Sequence, residues 1–458
     1  MFAVTMKEIR AFCGGKLLNL PEKTVVNKAE TDSRKDIAGG IFFALKGERF
    51  DGHDFLQQAI TNNAAVLCVE KGREISDFPC WCVSDTLKAY QQLGAFMLRK
   101  AGIPALAVTG SVGKTSVKEM VRAILEYKFG KGSVLYTEGN TNNHIGVPQN
   151  LLRLTPAHKI CVIEMGTSSF GEISVLSEIV RPGAALINSI APCHLENLGS
   201  LDGVAKEKSS IFDYASDLAV FPGNIPQSPH IAEAAGQRGL KINTFGTEND
   251  EDVDFYYSNF SGGIMGSAFN LHHGGRKIRI KWNLQGEHQA QNACGAAALG
   301  LYAGMSFSAI AAGLSRTELP GLRARITEKN GVNYYNDAYN ANPASMRALI
   351  KMIRSSIDHG DIAEKDVILV IGDMLELGIN SPFEHRNILS LITECLPEAK
   401  VLAAGKIYKQ FSRYFKMNFF DDAMQAGEYL RTVVGEGKWV FLKGSRSMHM
   451  EDALKEEE

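Results

Sequence analysis

The feature that most constrains this chain is a short glycine-containing stretch, GSVGKT at residues 110–115, between an apolar run and an amphipathic run. The preceding ALAVTG indicates a buried strand, and KTSVKEMVRAILEYKF indicates a helix. Backbone N–H groups turned inward by glycines form an anion site together with a helix N-terminus. The pattern therefore predicts a phosphate-binding loop within an α/β fold.

This loop is shorter than the general nucleotide-binding pattern, in which the first glycine lies five residues before the second. Val108 occupies that place here. A tight turn that happens to carry a lysine is the alternative, but the strand–loop–helix context favours a nucleoside triphosphate. Its β and γ phosphates would be neutralised by the lysine, and its Mg²⁺ coordinated by the threonine hydroxyl. The predicted nucleotide-binding residues are Gly110, Ser111, Val112, Gly113, Lys114, Thr115 and Ser116.

Length and composition limit the class of protein. A chain of 458 residues is too long to fold around one hydrophobic core, and a net charge of −2 gives no sign of a basic surface that would bind nucleic acid. No apolar run reaches the ~20 residues of a membrane helix, and the N-terminus lacks a signal-peptide core. The eight scattered cysteines fit a reducing cytoplasm, where we expect the protein to be located. One close pair, Cys80 and Cys82, should point to the same side of a strand, which keeps a metal or redox role as an alternative.

The alternation of strands and helices divides the chain into three predicted domains. Residues 1–100 form a small mixed α/β domain, and residues 101–316 form a doubly wound parallel sheet that carries the loop. Residues 317–458 return to strands alternating with helices, which predicts a Rossmann-like C-terminal domain.

Two helix starts are marked by capping residues. Asn342 before Pro343 predicts a helix that begins with the proline. Ser381, followed by Pro382 and Glu384, predicts a second helix with the serine as its cap.

Polar side chains follow two neighbouring predicted strands. Glu164 ends ICVIE and is a candidate Mg²⁺ ligand, with a surface salt bridge as the alternative. His194 follows AALINSI and is either a second ligand or a buried core histidine. Lys206 and Lys208 precede an apolar pair, where surface lysines on a helix are the simplest interpretation.

Taken together, these segments resemble the Mur ligase family, the three-domain, ATP-dependent amide-forming enzymes of bacterial peptidoglycan synthesis. The short loop is that family's form, and the resemblance spans essentially the whole chain. The segment DAYNANP at 337–343 points to the member that joins D-alanyl-D-alanine to UDP-N-acetylmuramoyl-tripeptide. Other stretches that carry the resemblance are TEGNTNNHIGVPQNLLRL, EMGTSSFGEISVLSEIVRPGAALINSI, HLENLGSLDGVAKEKSSIF, GDMLELG and the N-terminal TDSR…GIFFALKGERFDGHDF.

The resemblance implies catalytic roles for three residues and a set of Mg²⁺ ligands. Lys114, His194 and Lys208 would be catalytic, and Lys208 matches a lysine that family members carbamylate to hold a second Mg²⁺. Its register with Lys206 stays open, because KSSIF departs from the usual run. The implied ligands are Thr115, Glu164, His194 and carbamylated Lys208.

The resemblance also implies contacts to the substrates. Adenine would meet Asn292, ribose would meet Asp337, and Arg323 (with Arg325 as the alternative) would reach the nucleotide from the C-terminal domain. The muramoyl nucleotide would contact Ser33, Arg34, Asn142 and Asn143, and the dipeptide would lie near Tyr339 and Asn340.

The implied reaction activates the tripeptide carboxylate as an acyl phosphate, which the dipeptide amine attacks to give UDP-MurNAc-pentapeptide. The expected partners are these small molecules and ATP, with a monomeric enzyme and neither nucleic acid nor membrane insertion. A sister ligase that adds one amino acid, or a folylpolyglutamate synthase-like ligase, is the nearest alternative. A nucleotide-binding regulatory or transport-coupled protein is the alternative from another class.

Overall fold

The computed structural model describes residues 1–321 and 324–455. The first strands form a five-stranded sheet in the order β2-β7-β6-β5-β4, parallel except where β2 pairs with β7, and a small antiparallel pair, β1 with β3. The elements are β1 (Val4–Thr5), α1 (Met6–Cys13), β2 (Lys16–Leu18), β3 (Val25–Val26), β4 (Ala29–Glu30), β5 (Ile41–Phe43), α2 (Leu56–Thr61), β6 (Val66–Glu70), β7 (Cys80–Val83) and α3 (Thr86–Ala101).

The central sheet has nine strands in the order β16-β15-β14-β13-β12-β11-β8-β10-β9. Strands β8 to β14 pair with one another in parallel, and β14, β15 and β16 form an antiparallel meander. Its elements are β8 (Ala105–Thr109), α4 (Lys114–Phe129), β9 (Val134–Tyr136), α5 (Gly146–Leu151), β10 (Ile160–Glu164), α6 (Glu172–Val180), β11 (Ala184–Ile187), α7 (Leu195–Leu198), α8 (Leu201–Ser209), β12 (Leu218–Pro222), α9 (Ser228–Gln237), β13 (Lys241–Thr247), β14 (Phe255–Gly263), β15 (Gly266–His273), β16 (Arg276–Trp282), α10 (His288–Tyr302) and α11 (Phe307–Leu314).

The last sheet has six strands in the order β17-β18-β22-β19-β20-β21, antiparallel only between β17 and β18. Its elements are β17 (Arg325–Lys329), β18 (Val332–Asn336), α12 (Pro343–Asp358), β19 (Val367–Gly372), α13 (Ser381–Cys395), β20 (Lys400–Ala404), α14 (Lys406–Lys409), β21 (Asn418–Phe420), α15 (Ala423–Val433) and β22 (Trp439–Lys443).

The predicted α/β architecture and its doubly wound central sheet are confirmed. Strand β8 lies between β10 and β11, so the carboxyl ends of these strands open into one crevice, the usual ligand position in such sheets. Helix α4 begins at Lys114, directly after the glycine-containing loop. The sheet topology thus places the predicted phosphate loop at the crevice. The domain limits at residues 100 and 316 stay a prediction.

One of the two predicted helix starts is wrong. Asn342 caps α12, because its side chain accepts a hydrogen bond from the Ser345 backbone N–H, as expected. Helix α13, however, starts with Ser381 as its first helical residue, and Asn380 precedes it without a side-chain cap. A 3-10 turn at Gly378–Asn380 runs directly into the helix, which displaces the predicted cap by one residue.

The side chains of Cys80 and Cys82 lie on the same side of strand β7, as the two-residue period of a strand requires. Cys80 and Cys82 share one apolar cluster, and burial raises the pKa of Cys82 to about 11. Within residues 1–321 and 324–455, no group of three or more His, Cys, Asp or Glu side chains is placed to hold a metal ion. Both thiols are therefore core residues.

The same part of the chain contains no helix with the length and apolar character needed to span a bilayer.

The hairpin between β14 and β15 joins the central sheet to the C-terminal one. Ile264 at its tip is fully buried and belongs to the core formed around α12 and β19. The Ser355 hydroxyl of α12 donates to the Gly262 carbonyl at 2.7 Å. A Cβ at Gly263 would lie 2.9 Å from the Ser356 Cα, so the two backbones are in close contact. This tip is a fixed attachment point between the two sheets.

Replacing Ile264 with alanine should loosen this attachment. We expect the local opening free energy of α12 and the hairpin amides to fall by about 2–5 kcal/mol, because a fully buried isoleucine is lost. Native-state hydrogen exchange measures this change. Met265→Ala is the matched control, since the adjacent Met265 is 74% exposed. Equal exchange in the two variants would show that the tip does not anchor the C-terminal sheet.

Candidate active site

The predicted phosphate loop is closely packed around Gly113. This glycine has φ of +81°, a left-handed conformation that side chains rarely adopt. A Cβ there would lie 2.4 Å from Asn188 Nδ2 and 2.9 Å from Asn292 Oδ1. The second glycine of the motif is therefore required both by its backbone conformation and by the neighbouring amides.

Asn188, directly after β11, ties the loop to the rest of the sheet. Its Nδ2 donates to the Val112 carbonyl at 2.9 Å and to Asn292 Oδ1 at 2.8 Å. Asn292 in turn donates from Nδ2 to Gln289 Oε1 at 2.9 Å. The order of donors is fixed, because the Val112 carbonyl can only accept. The sequence motifs did not single out Asn188, although it lies in the strand-like run AALINSI.

Two other motif side chains also hold the loop in place. The Ser111 hydroxyl donates to the Ala191 carbonyl at 2.9 Å and accepts from the Ala191 N–H at 3.0 Å. Lys114 Nζ donates to the Gly110 carbonyl at 2.7 Å, curled back over the loop. The lysine therefore lies beside the backbone that would cradle an anion, as the motif requires.

Glu164 is a buried carboxylate at the carboxyl end of β10. Its Oε2 accepts from the Thr115 hydroxyl at 2.9 Å, and its Oε1 accepts from Asn142 Nδ2 at 2.9 Å. Only 1% of the residue is exposed, so the alternative of a surface salt bridge is wrong. A hydroxyl and a carboxylate this close are the oxygen donors that Mg²⁺ takes beside phosphate. The donor set fits the predicted metal.

Lys208 and Lys206 differ sharply in environment. Lys208 is 2% exposed on α8, whereas Lys206 points to solvent. Burial, reinforced by the positive charge of Lys114, lowers the pKa of Lys208 to about 8. Among the described residues, no carboxylate lies within ion-pair distance of its amine. The structure therefore favours Lys208 over Lys206 as the reactive lysine.

A cavity of about 1220 Å³ lies between the central and C-terminal sheets. It is lined by residues of both, so most of the predicted nucleotide, metal and dipeptide groups face one space, whereas Gly110 and the predicted metal ligand Lys208 are not part of its wall. The predicted residues in its wall are Ser111, Val112, Gly113, Lys114, Thr115, Ser116, Asn142, Asn143, Glu164, His194, Asn292, Asp337, Tyr339 and Asn340.

The C-terminal wall carries a lysine that sequence analysis did not assign. Lys443, at the end of β22 and 2% exposed, forms an ion pair with Asp337 and donates to the Asn340 carbonyl at 3.1 Å. It therefore fixes the DAYNANP turn. His288 of α10 also lines the cavity.

His194 makes a contact across the cavity. Its Nδ1 lies 2.9 Å from Glu376 Oε2, in the loop after β19. The hydrogen bond from His194 lowers the pKa of Glu376. The side chain of His194 is 27% exposed, so the alternative of a buried core histidine is wrong. Its role as a metal ligand stays a prediction.

Other predicted residues lie apart from the cavity or have structural partners. Ser33 donates to Gln58 Oε1 at 2.7 Å, and Arg34 pairs with Asp32 on the exposed surface of the N-terminal unit. Asn143 Oδ1 accepts from the Gly146 N–H at 2.8 Å at the start of α5. Of the two alternative arginines, Arg325 is exposed on β17, and Arg323 lies outside the described residues.

Comparison with known proteins identifies the class to which this fold and site belong. Residues 26–119 match the Mur ligase family catalytic domain, residues 108–300 the Mur ligase middle domain, and residues 322–446 the Mur ligase glutamate ligase domain. The chain belongs to the Mur ligase family, and it is an ATP-dependent ligase.

Relatives with a specific assigned activity match almost the full chain. UDP-N-acetylmuramoyl-tripeptide–D-alanyl-D-alanine ligase of Escherichia coli (strain K12) is 34% identical over 99% of this chain and 98% of its own. The ligase of the same name from Bacillus subtilis (strain 168) is 33% identical over 100% and 98%. The crystal structure of MurF from Acinetobacter baumannii superposes with a TM-score of 0.90, at 31% identity over 99% and 98% of the two chains.

Replacing Gly113 with alanine tests whether the loop depends on this packing. We expect the Kd for ATP to rise at least about tenfold, because the new methyl group must displace the Asn188 and Asn292 amides. Isothermal titration calorimetry measures the affinity. Gly130→Ala is the matched control, since Gly130 has φ of +92° at the end of the same helix with nothing within 4 Å of a Cβ. Unchanged affinity in Gly113→Ala would refute the assignment of the loop.

Proposed function

We propose that this protein joins D-alanyl-D-alanine to UDP-N-acetylmuramoyl-tripeptide with hydrolysis of ATP, yielding the UDP-MurNAc-pentapeptide of peptidoglycan synthesis. The observation that carries the proposal is the single cavity that Lys114 and Glu164 enter from one sheet and Asp337 and Tyr339 from the other. The activities named for the Escherichia coli and Bacillus subtilis relatives support the same substrates. ATP would transfer its γ-phosphoryl group to the tripeptide carboxylate.

The charges around the cavity suit this transfer. A carboxylate and a γ-phosphate repel each other, and Lys114 at the head of α4 would offset that repulsion. Mg²⁺ would be held by Thr115 and Glu164, and it would supply positive charge against the phosphate oxygens. Lys208, once carbamylated, would become a carboxylate able to hold a second Mg²⁺, with His194 as a further ligand.

The division of the wall between two sheets suggests how the substrates are arranged. Asn292 would meet adenine from the central sheet, and Asp337, held by Lys443, would accept ribose hydroxyls from the C-terminal one. Tyr339 and Asn340 would then lie near the dipeptide, and Asn142 near the muramoyl nucleotide. Ser33 and Arg34 would contact the uridine end from the N-terminal domain.

Phosphate release tests the proposed reaction. Purified protein with ATP and Mg²⁺ should release phosphate rapidly only when both the UDP-muramoyl-tripeptide and D-alanyl-D-alanine are present. Omitting each component in turn is the control, and mass spectrometry should find the pentapeptide product. Release with a single amino acid in place of the dipeptide would move the assignment to a sister ligase. Release indifferent to both acceptors would contradict the proposal.

Carbamylation of Lys208 is a separate prediction. An amine reacts with CO₂ only when neutral, and a pKa of about 8 leaves about a quarter of it neutral at pH 7.5, a fraction that rises with pH. Protein equilibrated with ¹³C-bicarbonate should show one carbamate resonance, stronger at pH 8.5 than at pH 6.5. Lys208→Arg should abolish the signal, and Lys206→Arg, at an exposed position two residues away, should keep it. A resonance that survives in Lys208→Arg would rule out this site.

A further inference from the structure

The contact between His194 and Glu376 spans two different sheets. His194 follows β11 and lies next to α7, whereas Glu376 follows β19 in the segment GDMLELG. Their side chains meet at 2.9 Å in the wall of the shared cavity. Glu376 has no role implied by the sequence motifs, and the proposed chemistry does not use it.

The loop that carries Glu376 is held in place at each of the three preceding residues. The Asp373 carboxylate accepts backbone N–H bonds from Ile407 and Tyr408 at 3.0 Å each. The Met374 N–H donates to Nε2 of the fully buried His385 at 2.8 Å. The Leu375 N–H donates to the Ser445 hydroxyl at 2.8 Å. Glu376 therefore projects from a fixed base toward the cavity.

Both partners of the contact have an uncommon backbone conformation. Glu376 has φ of +63° and His194 has φ of +49°, in the left-handed region that costs free energy for residues other than glycine. The two segments also touch at a second point, since a Cβ at Gly378 would lie 3.3 Å from Glu196 Cγ. Strain of this kind persists where surrounding structure fixes it, and it concentrates at functional sites.

The contact is poorly suited to a role in stability. The side chain of Glu376 is 63% exposed, and exposed ion pairs contribute little to folding. It is well suited to orient a ring. An ionised carboxylate accepts a hydrogen bond from Nδ1–H, and in this tautomer of the neutral ring the Nε2 lone pair is free to act as a ligand or a base.

We propose that Glu376 is a positioning residue that reaches across the inter-sheet cavity and fixes the orientation and tautomer of His194. Its role in the reaction rests on the proposed ligase function. His194 is then correctly oriented only when the C-terminal loop is docked against α7. The same contact therefore links the docking of the two domains to the chemistry of the site.

The test compares Glu376→Ala and Glu376→Gln in the full chain. In ligand-free protein, hydrogen exchange at residues 194–199 should accelerate at least fivefold in Glu376→Ala, with an unchanged thermal midpoint. With substrates, kcat should fall about 10- to 100-fold while KM for ATP stays within about twofold, as for residues that orient a ligand. Glu376→Gln keeps an acceptor oxygen and should recover most of both properties.

Asp421→Ala is the matched control, because Asp421 forms an exposed ion pair with Lys409 at 2.6 Å away from the cavity wall. It should behave as wild type in both measurements. Wild-type exchange in Glu376→Ala would show that the contact does not hold His194, and faster exchange with unchanged kcat would show that it has no role in the reaction. A wild-type enzyme that lacks ligase activity would contradict the proposed function, while the exchange result would still decide whether the contact holds His194.

Discussion

The site depends most on the hydrogen bonds that the side-chain amide of Asn188 donates. One nitrogen donates to the loop carbonyl of Val112 and to the side chain of Asn292 on α10, and so joins strand, loop and helix. Its own oxygen is buried without a hydrogen-bond partner among the described groups, which costs free energy. This cost falls next to Gly113, where there is no room for a side chain. The arrangement therefore serves to position the loop and not to stabilise the fold.

Once the loop is fixed, the remaining groups of the central sheet follow from its topology. Parallel strands β8, β10 and β11 end at one edge, which brings Lys114, Glu164 and Asn188 together although they are far apart in sequence. The C-terminal sheet supplies the opposite wall through Asp337 and Glu376. It is attached at the hairpin tip, and it contacts the central part again at the cavity.

Sequence patterns predicted the parts of this site that local structure determines. The loop, α4, the cap of α12 and the strand ending at Glu164 each depend on a few adjacent residues, and each was found. Side chains whose role comes from distant partners were missed. Lys443 matters because β22 pairs beside β18, and Glu376 matters because its loop crosses to α7. The misplaced cap at Ser381 has a local cause instead, since the 3-10 turn at Gly378–Asn380 continues directly into the helix.

In the proposed reaction, the paired walls bring the γ-phosphate of ATP to a substrate carboxylate. Tripeptide nucleotide labelled with ¹⁸O in its terminal carboxylate tests this directly when it is turned over with ATP and D-alanyl-D-alanine. Transfer through an acyl phosphate leaves one carboxylate oxygen on the departing phosphate. We expect inorganic phosphate with one ¹⁸O atom per molecule of pentapeptide formed. Unlabelled phosphate formed together with the pentapeptide would contradict it.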